Sequence, residues 1–193
     1  DILPAKFYMV LFPLASFVFL IKLYKKNDVH PFINIALFYL GILYVAVPFA
    51  MINILVFYSG TYSYEIILGL LFLTWANDVG AYFSGILFGK RKLFKRISPN
   101  KSWEGSIGGA ATAILTAFVI GLYFEGLNQI EWISVSIIVV IAGTYGDLVE
   151  SHFKRSIQIK DSGTIIPGHG GFLDRFDSFL IAVPFVVVFL KLF

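Results

Sequence analysis

The sequence predicts an all-α fold, a polytopic transmembrane bundle of about six helices. Three observations predict it. Of the 193 residues, 58% are hydrophobic and only 14% are charged, against about 25% charged in soluble domains, and the mean hydropathy is +0.83. Six apolar runs are long enough to cross a bilayer, which takes roughly 20 residues of helix. The charge of the connections alternates along the chain.

The runs are Phe7–Tyr24, Ile33–Tyr58, Tyr64–Phe88, Glu104–Phe124, Trp132–Phe153 and Phe172–Leu192. Backbone polar groups find no water in hydrocarbon, so each run is expected to bond internally as a helix. Pro13, Pro48 and Pro184 are expected to kink theirs. No repeat, low-complexity tract or second domain is evident, and residues 1–193 are expected to form a single integral membrane catalytic domain. The chain begins at Asp1, and its first apolar run lacks the basic flank and small-residue cleavage site of a signal peptide. It is read as a fragment that lacks N-terminal helices of a longer protein. With no cysteine, disulfides, thiolate metal sites and cysteine nucleophiles are excluded.

Lys22, Lys25 and Lys26 follow the first run. Lys90, Arg91, Lys92, Lys95, Arg96 and Lys101 follow the third. Lys154, Arg155, Lys160 and Arg175 follow the fifth, so these connections hold thirteen of the 15 Lys and Arg residues. The alternate connections hold only Glu65, Glu125 and Glu131. The positive-inside rule puts the basic connections in the cytoplasm. Topology alone would select for such loops, but the second and third contain more than charge.

Carboxylates occur where lipid should forbid them. Asp78 lies eleven residues before Gly89, about 16 Å along an unbroken helix. Ionisable residues at such depth are functional candidates by default. Asp147 falls near the end of the fifth run, and Asp174 and Asp177 at the start of the sixth. Asp174 and Asp177 are three apart and are expected to share one helical face. Such carboxylates repel one another unless cations neutralise them, and oxygen ligands suit Mg²⁺. Helix capping is the competing explanation for Asp174 and Asp177. Between these carboxylates runs a loop from Lys154 to Gly171, rich in Gly, Lys and His, suited to phosphates through close backbone approach and charged side chains. Gly85–Arg91 is one residue short of a P-loop and lacks its Ser or Thr. Gly85/Gly89 and Gly105/Gly109 fit close helix packing instead. His30 and His152 are isolated and receive no role.

The segment from Ser151 to Asp177 resembles the signature of the CDP-diacylglycerol synthases, or phosphatidate cytidylyltransferases. Ser151, Lys154-Arg155, Lys160-Asp161, Gly163, Pro167, His169-Gly170-Gly171, Asp174-Arg175 and Asp177 all match. Asp78–Phe83 and Ser98–Gly105 resemble the family as well, so the likeness runs from about Trp75 to Ser178. Family members usually carry further N-terminal hydrophobic helices.

The resemblance implies transfer of a cytidylyl group from CTP to phosphatidic acid, releasing pyrophosphate, in phospholipid biosynthesis. It implies a Mg²⁺ cofactor, with room for a second cation, held by Asp147 and Asp174 with Asp177 close by. Asp78 would support the metal or the substrate. Lys101, Ser98, Trp103 and Glu104 would serve CTP. Lys154, Arg155, Lys160 and Arg175 would contact phosphates, with Asp161, Gly170 and Gly171 in the same binding loop. His169 would bond a phosphate oxygen or assist the leaving pyrophosphate. The expected setting is the cell inner membrane, with the site facing the cytoplasm. Membrane lipid is a partner, nucleic acid is not, and a homodimer is left open. The alternatives are a related enzyme acting on another lipid, such as CDP-archaeol synthesis or a polyprenol kinase, and a cation-coupled transporter. The phosphate-suited loop argues against transport.

Overall fold

The computed structural model describes Pro13, residues 16–21, Tyr24, and residues 30–159, 162–163, 171 and 173–193. The chain divides into two compact units, Asp1–Ala46 and Val47–Phe193. In the first, helix α1 spans Pro31–Gly41 and passes into a π-helical turn, Ile42–Ala46. Pro31 opens α1, where the missing N–H costs nothing because the first turn leaves its donors unpaired.

Among its described residues, the regular elements of the second unit are helices apart from one ribbon. It contains α2 (Val47–Val56), α3 (Glu65–Phe88), strands β1 (Lys92–Phe94) and β2 (Ser98–Ser102), α4 (Trp103–Tyr123), α5 (Gln129–Ser156) and α6 (Asp177–Leu192). Among the described residues, four helices are long and apolar enough to cross a membrane: Pro31–Val56, Glu65–Phe88, Trp103–Tyr123 and Gln129–Ser156. These match the second to fifth apolar runs within a few residues. The first run lies largely outside the described residues. The sixth yields a shorter helix of 16 residues, with Pro184 inside it.

Glycine sets the approach of α3 to α4. A Cβ at Gly105 would stand 2.9 Å from Ala81 O and 3.3 Å from Gly85 Cα, and one at Gly109 only 2.7 Å from Asn77 O. Thr112 Oγ1 adds a hydrogen bond across the pair to Ala76 O, at 2.9 Å. Small residues allow such close packing where no hydrophobic force draws helices together. Gly85, Gly105 and Gly109 thus act as expected, while Gly89 ends α3 with its N–H on Gly85 O. Gly146 plays the same part between α5 and α6, where a Cβ would lie 3.0 Å from Asp177 O. The core beneath is apolar, built on Leu70, Leu73, Trp132, Val135, Val139, Val183 and Val186.

Two local features depart from the sequence expectation. The basic connection after α3 is a two-stranded antiparallel ribbon, with Lys92 opposite Ser102 and Phe94 opposite Ser98. Its residues have little strand preference; the first turn of α4 pins it instead. Trp103 N–H donates to Arg91 O at 2.9 Å, and the Glu104 carboxylate accepts from the N–H groups of Lys90 and Arg91. Asp174 and Asp177 do not share one α-helical face. Asp174 lies in a 3-10 turn, Leu173–Arg175, and Asp177 is the first residue of α6.

Candidate active site

The ends of α3, α5 and α6 and the start of α4 converge on a cavity of about 520 Å³. Asp78 of α3, Lys101 of β2 and Asp147 of α5 line it, with Asn77, Tyr82, Asn100, Thr144 and Ser178. The helical period explains the placement. Thr144 and Asp147 are three apart on α5 and present one face, while the glycine contacts of α3 and α4 bring Asp78 beside the ribbon. Lys101 Nζ forms an ion pair with Asp147 Oδ2. Ser151 Oγ, one turn further along α5, donates to Asp147 Oδ1 at 3.2 Å.

Beside this cavity is a second charged group. Carboxylate oxygens of Asp147, Glu150 and Asp177 all lie within 4.8 Å of one another, a spacing able to hold a metal ion. Glu150 is buried, with 1% of its surface exposed. Hard, anionic oxygen donors at this spacing fit Mg²⁺. Lys154 Nζ lies 2.8 Å from Glu150 Oε2 and 2.7 Å from Asp174 Oδ1. Asp174 also accepts from Ser162 N–H at 2.9 Å and from Gly171 N–H at 2.7 Å.

The structure therefore brings Asp78, Lys101 and Asp147 into one cavity and places Asp177 with Asp147. It holds Asp174 on Lys154 and on backbone donors, with Gly171 as one of them. Ser98 sits in the ribbon opposite Phe94, and Glu104 is spent on the Lys90 and Arg91 amides. Trp103, 56% exposed, opens α4 beside Lys101. Arg155 donates to Ile159 O, and Arg175 is exposed in the 3-10 turn. Lys160, Asp161, His169 and Gly170 lie outside the described residues. Sequence reasoning assigned no role to Glu150. Its spacing from Asp147 (i,i+3) and Lys154 (i,i+4) was the available signal, since both intervals fall on one helix face.

The whole chain, residues 1–193, matches the cytidylyltransferase family. It is 48% identical over 130 residues to a phosphatidate cytidylyltransferase of Haemophilus influenzae, covering 64% of this chain and 45% of that protein. It is 39% identical over 179 residues to that of Staphylococcus aureus, covering 91% of this chain and 66% of the relative. For Bacillus subtilis the identity is 40% over 181 residues, with 93% and 65% covered. The chain thus spans between 45% and 66% of the length of these relatives. With a match over its full length and membrane-spanning helices around a polar site, this integral membrane protein belongs to the cytidylyltransferase family.

Proposed function

We propose that the chain carries the catalytic centre of a Mg²⁺-dependent phosphatidate cytidylyltransferase. The reaction joins CTP to phosphatidic acid and yields CDP-diacylglycerol and pyrophosphate. The observation that supports it most is the single cavity in which Asp78, Lys101 and Asp147 meet, walled by apolar helices. A water-soluble nucleotide and a membrane-anchored phosphate can both reach such a place. The names of the similar relatives point the same way.

Both substrates are polyanions, so the first task is to hold like charges together. Asp147 and Asp177, with Asp174 on the adjoining turn, would hold Mg²⁺, which when bound neutralises phosphate charge and orients the nucleotide. Lys101 is placed to grip CTP phosphates, and exposed Trp103 to pack against the base or sugar. Lys154, Arg155, Lys160 and Arg175 would contact phosphates, and His169 would bond a phosphate oxygen or assist the leaving pyrophosphate. An oxygen of the lipid phosphate forms a bond to the α-phosphorus of CTP. The bond from that phosphorus to the β-phosphate bridge breaks, and pyrophosphate leaves with the electron pair. The attacking oxygen is already anionic, so no strong base is needed, and rate comes from positioning and charge stabilisation. The basic connections support a site at the cytoplasmic face of the inner membrane.

The test uses purified full-length protein, labelled CTP and Mg²⁺, with and without phosphatidic acid. Label should enter the lipid fraction only when phosphatidic acid is present, and EDTA should abolish it. Transfer to another lipid but not to phosphatidic acid would overturn the substrate assignment. Undiminished turnover in EDTA would overturn the cation.

A further inference from the structure

We infer that the tip of the β1–β2 ribbon, Phe94 with Lys95 and Arg96, is a docking surface for anionic phospholipid headgroups and gathers lipid phosphate beside the cavity. Its effect on turnover rests on the reading proposed above, that phosphatidic acid is a substrate. The surface itself does not.

The ribbon carries a dense, unpaired positive charge. Lys90, Arg91, Lys92, Lys95 and Arg96 are all exposed. Among the described residues none of the five forms an ion pair. The acids nearby are engaged elsewhere. Glu104 turns its carboxylate to the backbone N–H groups of Lys90 and Arg91, and Asp147 pairs with Lys101. The positive-inside bias accounts for charge in this connection, but not for an aromatic ring set among the cations. Phe94, opposite Ser98, is 44% exposed. Alternation along the strand puts it on the same side as Lys92, and Lys92 lines the cavity.

The bilayer lies at the foot of the ribbon. Helix α3, long and apolar enough to cross a membrane, ends in Ile86, Leu87 and Phe88, all exposed. The ribbon thus starts where the apolar surface of the helix stops, the level at which lipid phosphates begin. An exposed ring among cations suits that level. The ring reaches the acyl boundary, while ammonium and guanidinium groups meet phosphate oxygens. A nucleotide would meet the same cations but would leave Phe94 and the end of α3 in water. A phosphate monoester carries about −1.5 to −2 charges at neutral pH, so phosphatidic acid should be held more strongly than the diester lipids around it.

The experiment uses full-length Phe94→Trp protein in phosphatidylcholine vesicles without CTP. Part of the lipid is replaced by phosphatidic acid, phosphatidylglycerol or phosphatidylcholine brominated in the acyl chain near the glycerol. Bromine quenches indole only at contact, and wild type in the same vesicles gives the share due to Trp75, Trp103 and Trp132. Quenching of the added indole should be strongest with brominated phosphatidic acid, weaker with phosphatidylglycerol and least with phosphatidylcholine. Raised salt should erase the ranking, and so should Lys95→Gln combined with Arg96→Gln. A basic residue at an anionic surface contributes about 1 kcal/mol, roughly fivefold in occupancy. Lys95→Gln with Arg96→Gln in the otherwise native chain should therefore raise KM for phosphatidic acid about fivefold or more, with kcat and KM for CTP near wild type. Equal quenching by the three lipids, or none by any, would overturn the inference. So would an unchanged KM for phosphatidic acid in the double variant, or a rise confined to CTP, which would mark a nucleotide surface instead. Ranked quenching in a protein that transfers no label would sink the proposed reaction and leave the lipid surface standing.

Discussion

Lys154, near the end of α5, places its ammonium 2.7 Å from the Asp174 carboxylate in the turn before α6. Asp174 in turn holds the backbone of Ser162 and Gly171. One ion pair therefore joins the last turn of a long helix to both flanks of the Gly-rich segment. Removing either partner strands a poorly solvated charge, which costs more than the pair itself contributes. Asp174→Asn and Lys154→Met should each lower turnover about tenfold or more, because the loop loses its charge-assisted anchor. The double variant should be little worse than either single one, with a coupling of about 0.5–3 kcal/mol in thermal stability. Additive losses in a double-mutant cycle would show that the two side chains act separately.

Glu104 performs a similar task on the other side of the cavity. Its carboxylate accepts from the Lys90 and Arg91 amides at 3.1 Å and so fixes the base of the ribbon that carries Lys101. Glu104→Ala should raise KM for CTP severalfold with a smaller change for phosphatidic acid, since an exposed charge-assisted bond is of modest strength. Glu104→Gln keeps one acceptor oxygen and should recover part of the loss. Equal effects on both substrates, read from steady-state kinetics, would argue against a role confined to the ribbon.

The helices were legible because hydrocarbon leaves the backbone no alternative, and the glycine pairs because close crossing needs them. The depth of Asp78 and the likeness around Ser151–Asp177 pointed to the end of the bundle where the cavity and the carboxylate cluster lie. The ribbon was not legible. Ser98-Pro99-Asn100-Lys101-Ser102 reads as a turn, and only its antiparallel pairing with Lys92–Phe94 makes it a strand. Glu150 was missed because a single acid near a helix end reads as a solvated face. Its burial comes from α6 packing over it, which local sequence does not encode. The division of labour among Asp147, Asp174 and Asp177 was equally hidden, since spacing along the chain does not reveal which oxygens are already bonded.

Close packing of α3 on α4 yields a stability prediction. A β-carbon at Gly109 would press to 2.7 Å from both Asn77 O and Asn77 Oδ1. Gly109→Val must push the helices apart, and overpacking of this kind costs about 1–3 kcal/mol. The detergent-solubilised variant should unfold at a lower temperature and lose activity, because α3 carries Asp78. An unchanged melting temperature would mean that the two helices do not cross here as closely as the structure has them.

The orientation is open to direct labelling, helped by the absence of native cysteine. Tyr62→Cys and Glu125→Cys should react with an impermeant maleimide added to intact cells. Lys95→Cys, in the exposed turn of the ribbon, should react only after permeabilisation. The alternation of basic and acidic connections demands this result. Labelling of the Lys95 variant in intact cells would invert the topology and move the site to the outer face.

Lys101 offers two measurements that should move in opposite directions. Its ammonium pairs with Asp147 Oδ2 inside the cavity, where both side chains keep about a third of their surface or less exposed, 27% and 32%. That carboxylate is also one of the three whose oxygens cluster within 4.8 Å. Lysine and a cation therefore compete for the same negative charge. Lys101→Met keeps the length of the side chain and removes the charge. With the competitor gone, Asp147 should bind Mn²⁺ more tightly, because a nearby positive charge disfavours a second one. CTP use should suffer at the same time, since the phosphates lose a charge-assisted donor of about 1.5–3 kcal/mol, roughly ten- to a hundredfold in KM. The KM for phosphatidic acid should change less. A general disruption of the site would weaken Mn²⁺ and both substrates together. A lysine that matters only for topology would leave all three unchanged. Weaker Mn²⁺ binding in Lys101→Met, measured by paramagnetic resonance on the same preparation used for kinetics, would refute the competition.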